Sequence, residues 1–240
     1  MVAAVAGPTP LHLRPATDLA ERVLLPGDPH RALVVAQALL EKPLMFNHAR
    51  GLWGYTGLAP DGEPLTVQST GMGGPSAAIV IQELVSLGAR SFVRIGTCGA
   101  LVGGFELGQL VAARGVLSAD GTSAVLSGSD LLTPNADLTA SLEGAGAAGV
   151  TAVSTDLFYD DREDLAADWV RRGVEVVEME AATLLAIAAR EGLEAAVVLA
   201  VTDLLDGGER RRIGSEALEA VGIRLGDAGF AAVRLPSRRP

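Results

Sequence analysis

The chain has 240 residues and a formal net charge of −10; 49% of its residues are hydrophobic and only 4% aromatic. That length can bury a substantial core, while the acidic balance argues against a nucleic-acid surface, which needs a basic face. No stretch of 18 or more apolar residues is free of charges or turns, so a membrane span is not expected. The lone cysteine, Cys98, has no partner for an internal disulfide, residues 1–10 lack a secretory pattern, and the expected setting is the cytoplasm.

In chain order, residues 22–26 read as an apolar strand, followed by the Gly27-Asp28-Pro29 turn and an amphipathic helix over 30–41. Asp28 as cap and Pro29 in the first turn are helix-start signals, and Arg31 brings a positive charge to the helix start, where an anion can bind. Strands over 43–49, 53–57 and 64–70 lead into Gly71-Met72-Gly73-Gly74-Pro75-Ser76 and a helix over 75–88. That glycine density exceeds mere connection, although helix packing would explain one or two of the glycines. Next comes a strand over 91–96, running into Arg94-Ile95-Gly96-Thr97-Cys98-Gly99-Ala100. This segment is expected to form a glycine-punctuated turn at the strand's carboxyl end, where open α/β sheets bind ligands. A guanidinium plus freed backbone N–H groups suit an oxyanion such as phosphate; a tight turn with the arginine paired to a surface carboxylate is the competing reading. Beyond it fall strands over 109–117, 150–154, 174–178 and 195–202, helices over 135–147, 163–172, 180–191 and 214–234, and a Ser/Gly/Asp/Thr-rich loop over 118–134. Strands and helices alternate throughout, which predicts one α/β unit over 1–240, with 1–10 and 236–240 flexible.

Three further segments carry chemistry. Glu178 and Glu180 flank Met179 at a strand-to-helix junction, and a carboxylate buried beside so much apolar sequence needs hydrogen-bond donors. The vicinal hydroxyls of a sugar are suitable donors; capping the helix is the alternative for either one. Asp203 ends the apolar run 195–201 and is either a turn former or a general acid. Glu209-Arg210-Arg211-Arg212 supplies cations downstream, more often a solvated face than a site. Phe158 and Tyr159 are adjacent aromatics, one of which could stack on a flat ring. His12, His30 and His48 have no metal-ligand spacing, and Cys98 reads as a small packing residue.

Taken together, these segments resemble the hexameric-type nucleoside phosphorylases, the family of purine nucleoside phosphorylase and uridine phosphorylase. The matching pieces are Leu25-Pro26-Gly27-Asp28-Pro29 with Arg31, Arg50-Gly51 with Gly54-Tyr55-Thr56-Gly57, Gly71 to Ser76, Arg94 to Ala100, Asp156-Leu157-Phe158-Tyr159, and Val177-Glu178-Met179-Glu180-Ala181-Ala182. They occur in family order from His12 to about Ala232.

The resemblance implies a three-layer α/β/α sandwich around a mixed, partly closed sheet, assembled as a hexamer from dimers. It implies a phosphate cradle of Gly27, Arg31, Arg94 and Thr97, with Arg50 reaching over from a neighbouring subunit. It implies ribose contacts from Met72, Met179 and Glu180, and from the neighbour's His12 on the 5′ hydroxyl. Cys98, Gly99, Phe158, Val177 and Glu178 are implied as the base site, and Asp203 as the acid that protonates N7 of a departing purine. The implied reaction is reversible phosphorolysis of a nucleoside to free base and ribose 1-phosphate, with inorganic phosphate as co-substrate and no metal or organic cofactor. Thr202-Asp203 favours purine over uracil, as does the absence of a Gln-x-Arg pattern after Phe158-Tyr159. The Gly71–Ser76 and Gly96-Thr97 segments lean toward the uridine branch.

Overall fold

The fold is described from a computed structural model, for residues 10–160, 162, 164–205 and 210–235. Residues 1–9 and 236–240, expected above to be flexible, lie outside the described residues, as do Asp161, Glu163 and Glu209.

The strands are β1 (Arg22–Leu25), β2 (Glu41–Asn47), β3 (Gly54–Leu58), β4 (Pro64–Gln68), β5 (Ser91–Ala100), β6 (Leu110–Ala119), β7 (Leu131–Leu132), β8 (Ala148–Thr155), β9 (Val176–Glu178), β10 (Glu194–Leu204) and β11 (Arg211–Arg212). The helices are α1 (Pro29–Leu39), α2 (Gly74–Leu87), α3 (Gly121–Ser127), α4 (Ala136–Gly144), α5 (Leu165–Arg171), α6 (Ala181–Glu191) and α7 (Ser215–Val233). All strands belong to one mixed sheet, ordered β11-β10-β6-β8-β9-β5-β1-β4-β3-β2, with β7 on β6. An additional β10–β5 pairing closes β10, β6, β8, β9 and β5 into a five-stranded barrel. The mixed, partly closed sheet expected from the sequence is therefore present.

Side-chain alternation along the strands supplies both faces of the core. On β10, Ala196, Val198 and Ala200 join the cluster under α1, α4 and α7, whereas Ala195, Val197, Leu199 and Val201 join the cluster under α2 and α6. Both sets are buried because helices cover both faces, which explains the unbroken apolar run. Arg22, 5% exposed, ties the sheet to the last helix: its Nη1 donates to Val233 O at 2.9 Å and to Asp61 Oδ2 at 2.6 Å. Burial would raise the Asp61 pKa, but this pair and two backbone N–H donors hold it below the ordinary carboxylate range.

Two expectations fail, for physical reasons. The segment 94–100 is not a turn: β5 continues through Ala100, paired with β10 and with β9. Its glycines make room within the sheet instead. A Cβ on Gly96 would lie 2.6 Å from Arg94 Nη2, so the missing side chain is the space in which the guanidinium folds back along its own strand. The expected loop 118–134 contains α3, where the Asp120 side chain accepts from Ser123 N at 2.8 Å. Seven residues are too few to show helical periodicity.

Candidate active site

A cavity of about 580 Å³ opens where the carboxyl ends of β1, β5 and β10 meet β9 and the starts of α1 and α6. It is lined by every residue the resemblance implies except His12 and Arg50: Gly27, Arg31, Met72, Arg94, Thr97, Cys98, Gly99, Phe158, Val177, Glu178, Met179, Glu180 and Asp203. Thr155, Leu157, Leu205, Ile213 and Leu218 line it too. Sequence reasoning missed these: a threonine ending a strand, or an apolar residue on a loop or helix, carries no signal distinguishing a site wall from core.

At the cationic end, Asp28 caps α1 by accepting from His30 N and Arg31 N, which places Arg31 in the first helical turn. Burial lowers the Arg31 pKa, with Asp28 and Glu180 opposing and Arg94 adding to the fall. Arg94 is 4% exposed. Its Nε donates to Glu178 Oε2 at 2.8 Å and its Nη2 lies 2.5 Å from Glu180 Oε2. Burial would depress its pKa, but Glu180 and Glu178 together raise it, so the guanidinium stays charged. Its Nη1 is buried without a hydrogen-bond partner. A buried, unpaired cationic donor is costly unless an acceptor from outside completes it.

The two glutamates divide the roles left open by the sequence. Glu178 accepts from Ser154 Oγ, from Glu180 N at 2.8 Å and from Ala181 N at 2.9 Å, besides Arg94. Its carboxylate caps α6 and fixes Arg94, while the residue also lines the cavity. Ser154, near the end of β8, accepts from Ala182 N at 2.8 Å while donating to Glu178. Glu180 makes no capping bond; its Oε1 accepts from Gly73 N at 2.5 Å. That N–H is delivered by the glycine-rich turn, where Gly71 (φ +74) and Gly73 (φ +85) hold backbone conformations that side chains resist. Burial raises the Glu180 pKa, with Arg94 pulling against it.

At the opposite end, Asp203 is placed by an irregularity in β10. Val201 pairs with Cys98 and Asp203 with Gly99, so Thr202 is the extra residue of a bulge. Thr202 Oγ1 lies 3.0 Å from Asp203 Oδ2, and Arg210 donates through Nε at 2.9 Å to Oδ1, with Nη2 at 2.8 Å. Arg212 is farther, at 3.8 Å. Of the arginine triplet, then, Arg210 is the partner of the acid. Its Cζ also stands 5.0 Å from the centroid of Phe158, which is 50% exposed. Cys98 sits between the two ends with its thiol pKa pushed up by burial, which keeps it inert.

His12 and Arg50 lie outside the cavity. His12 Nδ1 is 2.7 Å from Glu83 Oε1, and Arg50 is exposed on a 3-10 turn, Ala49–Gly51. The cavity's open side continues past Met72 and Met179 into a shallow groove of about 780 Å³ lined also by Val125 and Asp156.

Comparison with known proteins adds the following. Residues 21–233 match the model of the phosphorylase superfamily. The chain is 36% identical over 202 residues to a purine nucleoside phosphorylase DeoD-type of Clostridium novyi (strain NT), covering 80% of this chain and 86% of that protein. It is 39% identical over 205 residues to the purine nucleoside phosphorylase DeoD-type of Caldanaerobacter subterraneus subsp. tengcongensis, with the same coverage. Among solved structures, it is similar to the uridine phosphorylase of Vibrio fischeri ES114, with a TM-score of 0.78, 25% identity and 90% of each chain covered.

Proposed function

The chain belongs to the phosphorylase superfamily, and we propose that it is an enzyme of purine nucleoside phosphorolysis, a pentosyltransferase that takes inorganic phosphate as co-substrate. The observation that carries this reading is Arg94, which lines the same cavity as Arg31 and whose buried Nη1 has no hydrogen-bond partner among the described residues. Phosphate offers the acceptor oxygens that such donors lack, and two guanidiniums offset its charge despite the chain's net −10. The backbone of Gly27 and Thr97 borders the same space.

In the proposed reaction, one phosphate oxygen attacks C1′ of the sugar while the bond from C1′ to N9 breaks and its electron pair passes to the purine. Arginines that hold the anion against the sugar supply proximity and orientation. Glu180, next to Arg94, accepts hydrogen bonds from the 2′ and 3′ hydroxyls, with Met72 and Met179 packing nearby. Phe158, Val177, Cys98 and Gly99 wall the base. Asp203 gives its proton to N7 of the departing purine, and Arg210 stabilises the carboxylate left behind. Atoms balance with phosphate alone, so no metal or organic cofactor enters the proposal.

The assembly belongs to the same proposal: a homo-oligomer, built as a hexamer from dimers, in which His12 and Arg50 serve the neighbour's site. The exposed position of Arg50, the half-buried position of His12 outside the cavity and the open groove beside Met72 favour it. No helix among the described residues is long and apolar enough to cross a membrane; the proposed location is the cytoplasm.

The test is a base-release panel of inosine, adenosine, guanosine, uridine and methylthioadenosine, each with and without phosphate. Phosphate-dependent release from a purine nucleoside is the expected result. Release without phosphate would point to a hydrolytic nucleosidase, release from uridine alone would move the reading to the uridine branch, and binding without release would leave a nucleoside-binding protein.

A further inference from the structure

Outside the cavity, two irregular segments are held more firmly than surface loops need to be. Glu83, on α2, gathers the segment before β1. Its Oε1 accepts from Leu11 N at 2.9 Å and His12 N at 3.0 Å, its Oε2 from Leu13 N at 2.7 Å, and His12 Nδ1 stands 2.7 Å from Oε1. Asn47, fully buried at the end of β2, fastens the same segment to the turn that carries Arg50. Its Oδ1 accepts from Arg14 N at 2.9 Å and from Ala49 N at 3.3 Å, and its Nδ2 donates to Leu52 O at 2.5 Å. Within that turn Arg50 adopts φ 59, ψ 18, a left-handed conformation that a side-chain-bearing residue seldom takes and that costs about 1 kcal/mol or more.

The chemistry of Glu83 fixes the chemistry of His12. Burial would raise the Glu83 pKa, but the bonds from Leu13 N, the His12 side chain, Leu11 N and His12 N outweigh it and hold the carboxyl below its ordinary range. An ionised carboxylate only accepts, so Nδ1 of His12 must be the donor. In the neutral ring Nε2 is then the acceptor, on a side chain that is 34% exposed. A histidine whose only role was to decorate the surface would not require three successive backbone N–H groups and a dedicated carboxylate to set its tautomer.

We propose that Glu83 is a positioning residue for the reaction: it presents His12 Nε2 as the acceptor for the 5′ hydroxyl of a nucleoside held in a second copy of the chain, and Asn47 keeps Arg50 on the same rigid platform. This rests on the functional reading above, in which His12 and Arg50 act on the neighbour's site. Glu83 touches neither substrate; it acts through the imidazole.

The test compares Glu83→Gln with the parent on the purine ribonucleoside the parent cleaves best and on its 5′-deoxy analogue, at saturating phosphate. Loss of one oriented hydrogen bond predicts a fall in kcat/KM of roughly tenfold for the ribonucleoside, carried mainly by KM, and little change for the 5′-deoxy substrate. Glu83→Asp should restore part of the difference. A second readout is the nitrogen-15 NMR pattern of His12, simple to assign with three histidines in the chain: the Nδ1–H tautomer in the parent, lost in Glu83→Gln. Equal losses on both substrates, or an unchanged tautomer, overturn the proposal. A parent that releases no base with phosphate brings down the underlying reading and this one with it; an active parent whose variant treats both substrates alike removes this one alone.

Discussion

At one end of the cavity the side chain of Arg94 is 5% exposed and locked between two carboxylates of the β9–α6 junction, whereas at the other the side chain of Arg210 is 42% exposed and lies over a half-exposed aromatic ring. The first end is built on strands and helix starts whose polar groups, Arg94 Nη1 apart, are held by named partners, down to the Ser154 hydroxyl behind Glu178. The second is carried by a bulge and by the segments around 157–159 and 210–218. Under the proposed function, low dielectric and fixed geometry suit the step common to every substrate, the holding of an anion against a sugar. On the same proposal, exposure suits the step that varies, recognition of the base. The similarity of one chain to purine nucleoside phosphorylases and to a uridine phosphorylase agrees with this division, since a shared fold can carry different base ends.

Removing the charge at the buried end should have the largest effect. Arg94→Ala is expected to lower kcat/KM for phosphate by about 10³. It should also destabilise the fold by about 3–5 kcal/mol, because Glu178 and Glu180 would remain buried without their cation. Phosphate saturation curves and thermal melts read the two effects separately, and an unchanged phosphate KM would show that the anion binds elsewhere. At the open end, Asp203→Asn should slow purine cleavage by about 10² or more and leave uridine cleavage, where detectable, far less affected. Equal losses on both bases would strip Asp203 of its role as purine acid.

The two ends were also unequally legible in the sequence. Gly27, Arg31, Arg94, Glu178, Glu180 and Asp203 stand out because each is a polar or glycine residue in an apolar setting, and the structure gathers them. What hid was anything depending on partners distant in sequence. Nothing near Arg94 announces that Glu178, 84 residues on, takes its Nε, and the glycines around it suggested a turn when they are in fact vacated space inside a strand. The base end was dimmer still: Leu205, Ile213 and Leu218 look like ordinary core residues, and only three-dimensional proximity selects Arg210 from a run of three arginines. Glu83 and Asn47 carried no signal of their part in holding the 11–14 segment, since they do so through backbone groups 72 and 33 residues away.

The contrast sharpens with pH. In the proposed reaction Glu180 must be ionised to accept from both sugar hydroxyls, and its burial raises its pKa from the ordinary carboxylate value. As the pH falls through that raised value the carboxylate gains a proton and one oxygen stops accepting. The KM for a ribonucleoside should therefore climb at a pH above about 4.3, where an unperturbed glutamate titrates. A 2′,3′-dideoxy nucleoside should show no such climb, and Glu180→Gln should flatten the profile at a cost of about tenfold in kcat/KM. A climb that persists in Glu180→Gln would assign the titration to another group.

The smallest effect belongs to Phe158. Its ring carries Arg210 at 5.0 Å and forms one wall of the cavity, yet half its surface meets solvent. An exposed cation–π contact contributes about 0.5–1 kcal/mol, so Phe158→Ala should change the nucleoside KM by only about two- to fivefold. The informative quantity is its coupling. If Phe158 and Arg210 act as one wall, the double variant Phe158→Ala/Arg210→Ala should lose less than the sum of the single losses, while the phosphate KM stays fixed in all three. A phosphate KM that moved with Phe158 would mean that the open end reaches Arg94 through the sugar, and the two ends would then have to be treated as one coupled unit.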